Sequence, residues 1–127
     1  MKSHCLSFVL LLLCLNASGQ YYTDENRIWT FGYHSGLDFN SSPPAFFSTG
    51  DSTREGTATV SDSDGHLLFY TNGNAVYNRT GVVMPAGVSI VPFLASSSTQ
   101  SSLIVPVITS PGRYYVFSVE SRETGSG

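Results

Sequence analysis

Short apolar runs, separated by polar and turn-forming residues, dominate the chain from residue 28 onward. β-branched and aromatic residues fill these runs, and Gly, Pro, Asn, Asp and Ser lie between them, which is the pattern of β-strands. No segment has the sustained 3.6-residue apolar period of an amphipathic helix. Strands are therefore predicted over residues 28–31, 45–48, 57–61, 67–71, 75–78, 102–107 and 114–119. Loops are predicted over residues 41–44, 49–54, 62–65, 72–74, 79–88 and 109–113.

The segment SDSDGHLLFYTNG, residues 61–73, has the composition of a tight hairpin turn that leads into a strand. Asp tolerates turn conformations and bonds to nearby backbone, and Gly65 supplies the positive φ that such a turn needs. Asp62 and Asp64 could also begin a D-x-D-G calcium loop. An EF-hand requires further oxygen ligands and a late bidentate Glu, whereas an apolar strand follows at once in this chain. The turn is therefore preferred to a weak calcium site.

Residues 97–119 repeat the layout of residues 52–72, with two extra residues in the second turn. The second turn has Ser-Pro-Gly where the first has Ser-Asp-Gly, so the acids are replaceable, as expected of turn residues. Residues 66–70 match residues 113–117 across the turn. The other aligned pairs are Glu55 with Gln100, Gly56 with Ser101, Val60 with Val105, and Gly65 with Gly112.

A strand-rich repeat of about 45 residues is typical of one β-propeller blade, which is a four-stranded antiparallel sheet. We therefore expect an all-β fold built of antiparallel four-stranded blades. One blade cannot bury both of its faces, and propellers contain four to eight blades. Residues 20–127 suffice for about two, so we expect an incomplete β-propeller over this range. The chain is then either the N-terminal part of a longer protein with further blades downstream or a truncated gene product.

Five segments together carry a family resemblance. Their spacing resembles that of the N-terminal region of secreted Bacteroidota proteins associated with gliding motility and type IX secretion, which end in a type B sorting domain. One departure is Ala86, where the family often has Asn. The segments are WTFGYHSGLDF (29–39), EGTATVSDSDGHLLFYTNGNAVYN (55–78), MPAG (84–87), SSTQSSLIVP (97–106) and YYVFSV (114–119).

The resemblance implies a β-propeller followed by immunoglobulin-like or PKD repeats and by a sorting domain for export across the outer membrane. It implies no catalytic residue, no cofactor and no metal, and it assigns no ligand-binding residue. The expected function is non-catalytic adhesion to, or recognition of, a protein or glycan at the cell surface. The alternative is a fragment of a propeller-type glycoside hydrolase or lyase whose catalytic acids lie partly in further blades.

Residues 1–19 have the organisation of a secretory signal peptide. The apolar run, residues 5–15, is too short to span a bilayer, which takes roughly 20 residues. Ala17 and Gly19 are the small residues that signal peptidase requires. We expect cleavage after Gly19 and a secreted or cell-surface protein; the alternatives are an uncleaved anchor and lipidation at Cys14.

Cleavage at this point removes both cysteines and leaves five basic residues against nine acids. The remaining chain has no thiol for nucleophilic catalysis, for zinc binding or for an iron–sulfur cluster. Its sparse charges form no basic stripe and no basic amphipathic helix. Neither nucleic acid nor a membrane surface is therefore an expected partner.

Few polar residues have the spacing of a catalytic or metal site. His34 and His66 match no metal-binding motif, so they are expected to be surface or strand-end residues. Ser35 lies in GYHSG, which differs from the G-x-S-x-G of a nucleophile elbow, and no strand-to-helix turn surrounds it. These residues are expected to be structural.

Glu55, together with Asp38 or Asp51, could form the acid pair of a glycosidase, which needs a separation of about 5–10 Å. Its alignment with Gln100 favours a buried, hydrogen-bonding role instead. Residues 96–102, SSSTQSS, are expected to satisfy backbone groups at the inner end of a blade. A polar ligand at the mouth of the channel is the alternative for this segment.

Five aromatic residues at strand positions are expected to pack between blades, although they would stack on sugar rings if they were exposed. The tripeptides that begin at Asn40 and Asn78 match the N-glycosylation acceptor, which means little in a bacterial protein. The five aromatic residues are Trp29, Phe31, Tyr70, Tyr114 and Tyr115.

Overall fold

The computed structural model describes residues 24–88, residue 90 and residues 99–119. A single-turn 3-10 helix, Asp24–Asn26, precedes nine strands in these ranges, and every strand pair is antiparallel. The predicted all-β class is confirmed for this part of the chain. The strands are β1 (Ile28–Phe31), β2 (Ser35–Asp38), β3 (Ala45–Phe47), β4 (Ala58–Ser61), β5 (Leu67–Thr71), β6 (Ala75–Asn78), β7 (Val83–Val88), β8 (Ser102–Pro106) and β9 (Tyr114–Ser118).

The strands form three sheets in which consecutive strands pair. Sheet 1 has the order β1-β2-β3, sheet 2 the order β4-β5-β6-β7, and sheet 3 the order β8-β9. Strand β4 contacts β1 on one side and β8 on the other, so sheet 2 lies between the other two. The sequence predicted about two sheet modules, whereas the described residues form three sheets of unequal size.

Strand β2 was not predicted, and it creates sheet 1 because it pairs with both β1 and β3. Its sequence, SGLD, contains three turn-type residues and one apolar residue, so it carries no strand signal. The ring of Phe47 on β3 lies over Gly36 on β2, and a Cβ at Gly36 would be 2.4 Å from that ring. Gly36, which weakens the strand signal in the sequence, is therefore required for the packing of β2 against Phe47.

The loop predicted over residues 79–88 is wrong, because Val83–Val88 forms strand β7. Pro85 and Gly87 are typical of loops, which is why the sequence predicts a loop here. β7 is the edge strand of sheet 2, where the missing N–H of a proline is tolerated. The register between β6 and β7 shifts in this region, and Ala86 has a φ of 58°. The MPAG segment is thus a bulge within a strand.

We expect Ala86→Gly to raise the free energy of unfolding by about 0.5–1 kcal/mol, because a left-handed conformation costs a residue with a Cβ about 1–2 kcal/mol. Glycine relieves that strain, but the greater conformational entropy of the unfolded chain offsets part of the stabilisation. Ala86→Asn is expected to stabilise as well, since Asn tolerates this conformation. Urea denaturation measures both changes.

Ala45→Gly, at an exposed strand position without a positive φ, is the matched control for Ala86→Gly. It is expected to destabilise the protein by about 0.5–1 kcal/mol, the usual cost of glycine within a strand. If Ala86→Gly destabilises the protein as much as Ala45→Gly does, the strain at Ala86 is not real.

The two predicted hairpins, β4–β5 and β8–β9, have equivalent turns. Asp62 N donates to His66 O at 2.9 Å, and the aligned Val107 N donates to Arg113 O, also at 2.9 Å. Gly65 has a φ of 81° and the aligned glycine of the second turn has one of 78°. The repeat is therefore confirmed at its turns.

Beyond the turns, a bulge in β5 shifts the register of the first hairpin by one residue relative to the second. The pair Ser61↔Leu67 corresponds to Pro106↔Tyr114, as the alignment requires. Val60 then pairs with Phe69, whereas the aligned Val105 pairs with Tyr115, because Leu68 is an extra residue in β5. Phe69 is thus structurally equivalent to Tyr115. The alignment of Phe69 with Val116 was wrong by this one residue.

Neighbouring sheets are joined by side chains. Between sheets 1 and 2, Thr30 N donates to Thr59 Oγ1 at 3.2 Å, and Thr57 Oγ1 donates to Thr30 O at 2.5 Å. Between sheets 2 and 3, the rings of Phe69 and Tyr114 meet edge to face, with centroids 5.3 Å apart. Among the described residues, the fully buried groups are mostly polar, so hydrogen bonds position these sheets as much as apolar packing does.

Candidate functional site

An open cleft of about 540 Å³ follows β1 and the beginning of β4. Its floor contains Thr30, Thr57 and Thr59, whose hydroxyl groups join the two strands. A volume of this size lies within the usual range of ligand sites, about 300–1,000 Å³. The cleft is therefore large enough to hold a ligand.

One wall of the cleft is aromatic. Trp29 is 53 % exposed and Phe31 is 42 % exposed, and their ring centroids are 6.4 Å apart. Phe39 packs on the other side of Trp29, at a centroid distance of 5.4 Å. The indole N–H of Trp29 donates to Asn26 O at 2.9 Å, which fixes the orientation of the ring. These rings form an oriented apolar surface.

The opposite rim of the cleft is charged. Arg54 and Glu55 lie on the connection between β3 and β4, and Glu25 lies in the 3-10 helix. All three side chains belong to exposed residues. A rim that offers both a guanidinium group and carboxylates can hydrogen-bond hydroxyl, amide or charged groups.

A buried polar cluster holds the β3–β4 connection in place. The carboxylate of Asp51 is completely buried, and its Oδ1 accepts hydrogen bonds from Thr53 N at 3.0 Å and from Asn72 Nδ2 at 2.9 Å. The backbone O of Asp51 accepts from His34 N at 2.7 Å. Oδ2 of Asp51 has no hydrogen-bond partner. The cluster ties the rim of the cleft to both sheet 1 and sheet 2.

The same connection forces an unusual turn between β1 and β2. Tyr33 and His34 both have a φ of 59°, a conformation that costs residues with a Cβ about 1–2 kcal/mol each. Tyr33 N donates to Thr53 O at 3.0 Å, and Thr49 N donates to His34 O at 3.1 Å. A Cβ at Gly32 would lie 2.0 Å from Thr53 O. The backbone contacts that enforce this turn thus also fix the approach to the cleft.

Two stacked tyrosines lie beneath the connection. The rings of Tyr70 and Tyr77 are 5.1 Å apart and nearly parallel, and Tyr70 Oη accepts a hydrogen bond from Gly50 N at 2.6 Å. Burial raises the pKa of Tyr70, and the nearby negative charge of Asp51 raises it further. Burial and the charge of Asp51 also raise the pKa of Tyr77. Both phenols are therefore held in the neutral form.

These raised pKa values predict a loss of stability at alkaline pH. The folded state holds the two phenolic protons more tightly than the unfolded chain, whose tyrosine pKa is near 10. The stabilisation is thus complete below pH 10 and is lost as the pH rises from about 10 through the folded-state pKa. Tyr70→Phe should weaken this pH dependence and, at neutral pH, cost about 1 kcal/mol for the lost bond to Gly50.

Denaturation of both proteins between neutral pH and pH 11 measures this effect. Tyr33→Phe, at a position that is 68 % exposed, is the control and should leave stability and its pH dependence unchanged. An equal alkaline loss of stability in Tyr70→Phe and in the parent protein would contradict the prediction.

Serine hydroxyl groups of sheet 3 and of the segment before it hydrogen-bond to the loops of sheet 2. Ser101 Oγ, which is fully buried, donates to Gly56 O at 2.5 Å, and Ser118 Oγ donates to Gly73 O. The predicted role of the SSSTQSS segment is confirmed for Ser101. It is wrong for Gln100, which is exposed. Residues 96–98 of this segment lie outside the described residues.

The predicted turn chemistry of Asp62 is confirmed. Its Oδ1 accepts from His66 N at 2.8 Å and from Asp64 N at 3.0 Å, and the bond from His66 N contributes most to lowering its pKa. The structure also brings the side chain of His66 to this turn, within 4.8 Å of both carboxylates. No spacing motif in the sequence groups His66 with these acids. The three side chains sit on an open turn, and the turn itself accounts for their positions.

The other candidate residues occupy structural positions. His34 is exposed and its Nδ1 lies 3.1 Å from Thr49 O, while Ser35 Oγ donates to Gly32 O at 2.7 Å. Asp38 Oδ1 accepts from Asn40 N at 2.8 Å, which caps the turn after β2. Each of these polar groups therefore serves the local backbone.

The burial predicted for Glu55 is wrong, because Glu55 is exposed on the rim of the cleft. Asp51, by contrast, is inaccessible to solvent. A glycosidase pair must reach the same substrate, so Glu55 and Asp51 do not form one. The sequence offered no signal that Asp51, one acid in a polar loop, would be the buried one.

The aromatic residues predicted to pack between sheets divide into two groups. Tyr70 is buried, and Tyr114 is half-buried against Phe69, as expected. Trp29, Phe31 and Tyr115 are exposed, so the prediction is wrong for these three in the described chain. Each of them projects from the face of sheet 1 or sheet 3 that points away from sheet 2.

The comparisons with protein-family models, with curated proteins and with solved structures find no match to this chain. Within the described ranges, no helix combines the length and the apolar character needed to cross a membrane.

Proposed function

We propose that this chain is part of a β-propeller in a secreted or cell-surface protein, and that it recognises a protein or a glycan without catalysing a reaction. The observation that carries the proposal is sheet 2. It is a four-stranded antiparallel meander, and its first strand, β4, adjoins β8, the first strand of the next sheet. This is the organisation of neighbouring propeller blades.

The junction between sheets 2 and 3 supports the same architecture. Ser101 Oγ bonds to the backbone of Gly56, the residue aligned with Ser101 in the preceding repeat, and Ser118 Oγ bonds to Gly73 O in the β5–β6 turn of sheet 2. The equivalent ends of the two sheets therefore meet. A radial array of blades requires this alignment, since every blade presents the same end to the same side of the propeller.

Sheet 1 fits the proposal as a blade that lacks its innermost strand. Residues 30 and 33 contact residues 57 and 53 respectively, so β1 and the segment that enters β4 run in opposite directions. Innermost strands of adjacent blades run in the same direction, so β1 takes the second position of its blade. The cleft then lies where an innermost strand would pair, and the hydroxyls of Thr57 and Thr59 occupy part of that edge.

The recognition surface in this proposal is the end of the sheets where the β3–β4 connection, the β5–β6 turn and the residues before β8 meet. Arg54, Glu55 and Gln100 are exposed at this end. The backbone beneath them is fixed by Asp51 and Asn72. Exposed polar side chains on rigidly held loops are the usual means of recognition on repeated sheets.

The family resemblance of the five sequence segments supports a secreted, cell-surface role. That resemblance and the signal-peptide pattern of residues 1–19 point to the same location. The non-catalytic character of the proposal draws on the burial of Asp51, which leaves the exposed Glu55 without Asp51 as a partner carboxylate for a shared substrate.

Binding of the labelled chain to a glycan array and to whole bacterial cells tests the proposal. We expect Arg54→Ala to weaken binding about tenfold, which corresponds to the loss of one charge-assisted hydrogen bond. Arg113→Ala removes the same charge from an exposed residue at the opposite end of sheet 3 and should leave binding unchanged. Absence of binding to every glycan and every cell, or turnover of a bound glycan, would refute the proposal.

A further inference from the structure

A groove of about 370 Å³ lies between sheets 1 and 2, at the end where the β2–β3, β4–β5 and β6–β7 turns meet. This volume is near the lower end of the usual range of ligand sites, which suits a small molecule. Every residue that lines the groove lies between Ile28 and Arg79, and the two sheets that enclose it already adjoin each other. Blades added before sheet 1 or after sheet 3 would therefore leave the groove open.

Sheet 1 presents a carboxylate to this groove. Ile28, Asp38 and Ala45 form one cross-strand row. The row is on the face that meets sheet 2, because Thr30, two residues after Ile28, bonds to β4. Asp38 Oδ1 accepts from Asn40 N at 2.8 Å, and this bond uses only one of the two carboxylate oxygens. A half-buried charge is thus held between two apolar side chains, a position that is costly unless the charge is paired.

Arg79 supplies the opposite charge from the side of sheet 2. It lies in the β6–β7 turn, is exposed, and lines the same groove as Asp38. The ion pairs that form among the described residues include neither Asp38 nor Arg79. Two groups of opposite charge therefore line one groove without pairing with each other. A ligand that carries both charges would satisfy both groups.

The walls of the groove are fixed before any ligand binds. Asn40 Nδ2 donates to Gly65 O at 2.9 Å, and a Cβ at Gly65 would lie 2.5 Å from Asn40 Oδ1. This contact joins the β2–β3 loop of sheet 1 to the β4–β5 turn of sheet 2. The surface between the two charged groups is apolar, since it contains Ile28, which is 7 % exposed, and the half-buried Phe47 and Leu67.

We propose that this groove binds a free α-amino acid with an apolar side chain. The ligand carboxylate pairs with the guanidinium of Arg79, which suits planar carboxylates, and the ligand ammonium pairs with Asp38. The ligand side chain packs on Ile28, Phe47 and Leu67, as apolar groups do in ligand sites that have a few oriented polar groups. The groove is at the other end of the sheets from the proposed recognition surface, so this proposal does not rest on that function.

Titration of the ¹⁵N-labelled chain with L-leucine, followed by amide chemical shifts, tests the proposal. We expect saturable shifts with a Kd of about 0.1–1 mM, because an ion pair with the exposed Arg79 contributes modestly. The amides of Ala45, Gly65 and His66, which line the groove, should shift most. Leucinamide lacks the carboxylate and 4-methylpentanoate lacks the ammonium, so each should bind about tenfold more weakly than leucine.

Two variants assign each charge of the ligand to its partner. Arg79→Ala should weaken the binding of leucine about tenfold and leave that of leucinamide unchanged. Asp38→Asn should weaken leucine by a similar factor and leave 4-methylpentanoate unchanged, and it keeps an Oδ1 acceptor for Asn40 N. Arg113→Ala, at an exposed residue of the β8–β9 hairpin, is the control and should bind leucine like the wild type. The same spectra show whether each variant is folded.

Three results would overturn the proposal. The first is the absence of saturable shifts in the wild-type chain up to about 20 mM leucine, well above the expected Kd. The second is equal affinity for leucine and either analogue, which would mean that the groove does not select a zwitterion. The third is a folded Arg79→Ala or Asp38→Asn variant that binds leucine like the wild type. None of these results bears on binding to glycans or cells, so the proposed recognition function is tested separately.

Discussion

Gly50→Ala is expected to remove about 3–4 kcal/mol of stability, a large share of the 5–15 kcal/mol that is typical of a folded domain. A Cβ at Gly50 would lie 1.9 Å from Gly81 O and 2.8 Å from Gly81 C. Both groups belong to the backbone, so no side chain can rotate away. The substitution would also disturb Gly50 N, which donates to Tyr70 Oη.

Gly112→Ala is the matched control for Gly50→Ala. Gly112 has a φ of 78°, but nothing lies within 4 Å of a Cβ built on it. The control therefore measures conformational strain alone, about 1–2 kcal/mol. Urea denaturation of both variants gives the comparison. Similar losses in the two would mean that the close approach of Gly50 and Gly81 is absent in solution.

Asp51→Ala is expected to cost about 2–4 kcal/mol. The substitution leaves Thr53 N and Asn72 Nδ2 without the acceptor that both now share, and each unsatisfied buried donor costs about 1–3 kcal/mol. The backbone bond from His34 N to Asp51 O does not involve the side chain, so the loss of stability reports the buried carboxylate. The free energy of unfolding at neutral pH is the quantity to measure.

Asp64→Ala provides the comparison for Asp51→Ala, since it removes the same group from an exposed turn. It should change stability by no more than about 0.5 kcal/mol. A double-mutant cycle between Asp51 and Asn72 tests the contact directly, because residues that share a buried bond couple by about 0.5–3 kcal/mol. Additive effects of the two alanine substitutions would contradict the cluster.

The strands that the sequence predicted correctly are those whose residues favour a strand on their own. Leu67–Thr71 and Ala75–Asn78 have the predicted bounds, because apolar and aromatic residues fill them and Asn72-Gly73 separates them. β2 and β7 were missed because tertiary packing, rather than local preference, makes them strands. Gly36 leaves room for the ring of Phe47. A Cβ built on Gly87 would lie 3.2 Å from Val76.

The candidate site was harder to predict than the fold. The rim residue Glu55 was singled out as a possible glycosidase acid, but its alignment with Gln100 wrongly favoured a buried role, and both residues are exposed. Burial of Asp51 depends on where Asn72 lies, 21 residues along the chain. No local pattern encodes that contact. Trp29 and Phe31 of the aromatic wall were singled out from the sequence and Phe39 was not, and the exposure of these rings was not predicted.

The hydroxyl groups of Thr57 and Thr59 have a consequence for fibril formation. They bond to the backbone N–H and C=O of Thr30, the groups through which β1 would otherwise template an additional strand. The outer edges of sheets 1 and 2 are interrupted differently: β3 follows two prolines, and β7 contains Pro85 and the bulge at Ala86. Amyloid growth by edge addition is therefore obstructed at each of these strands.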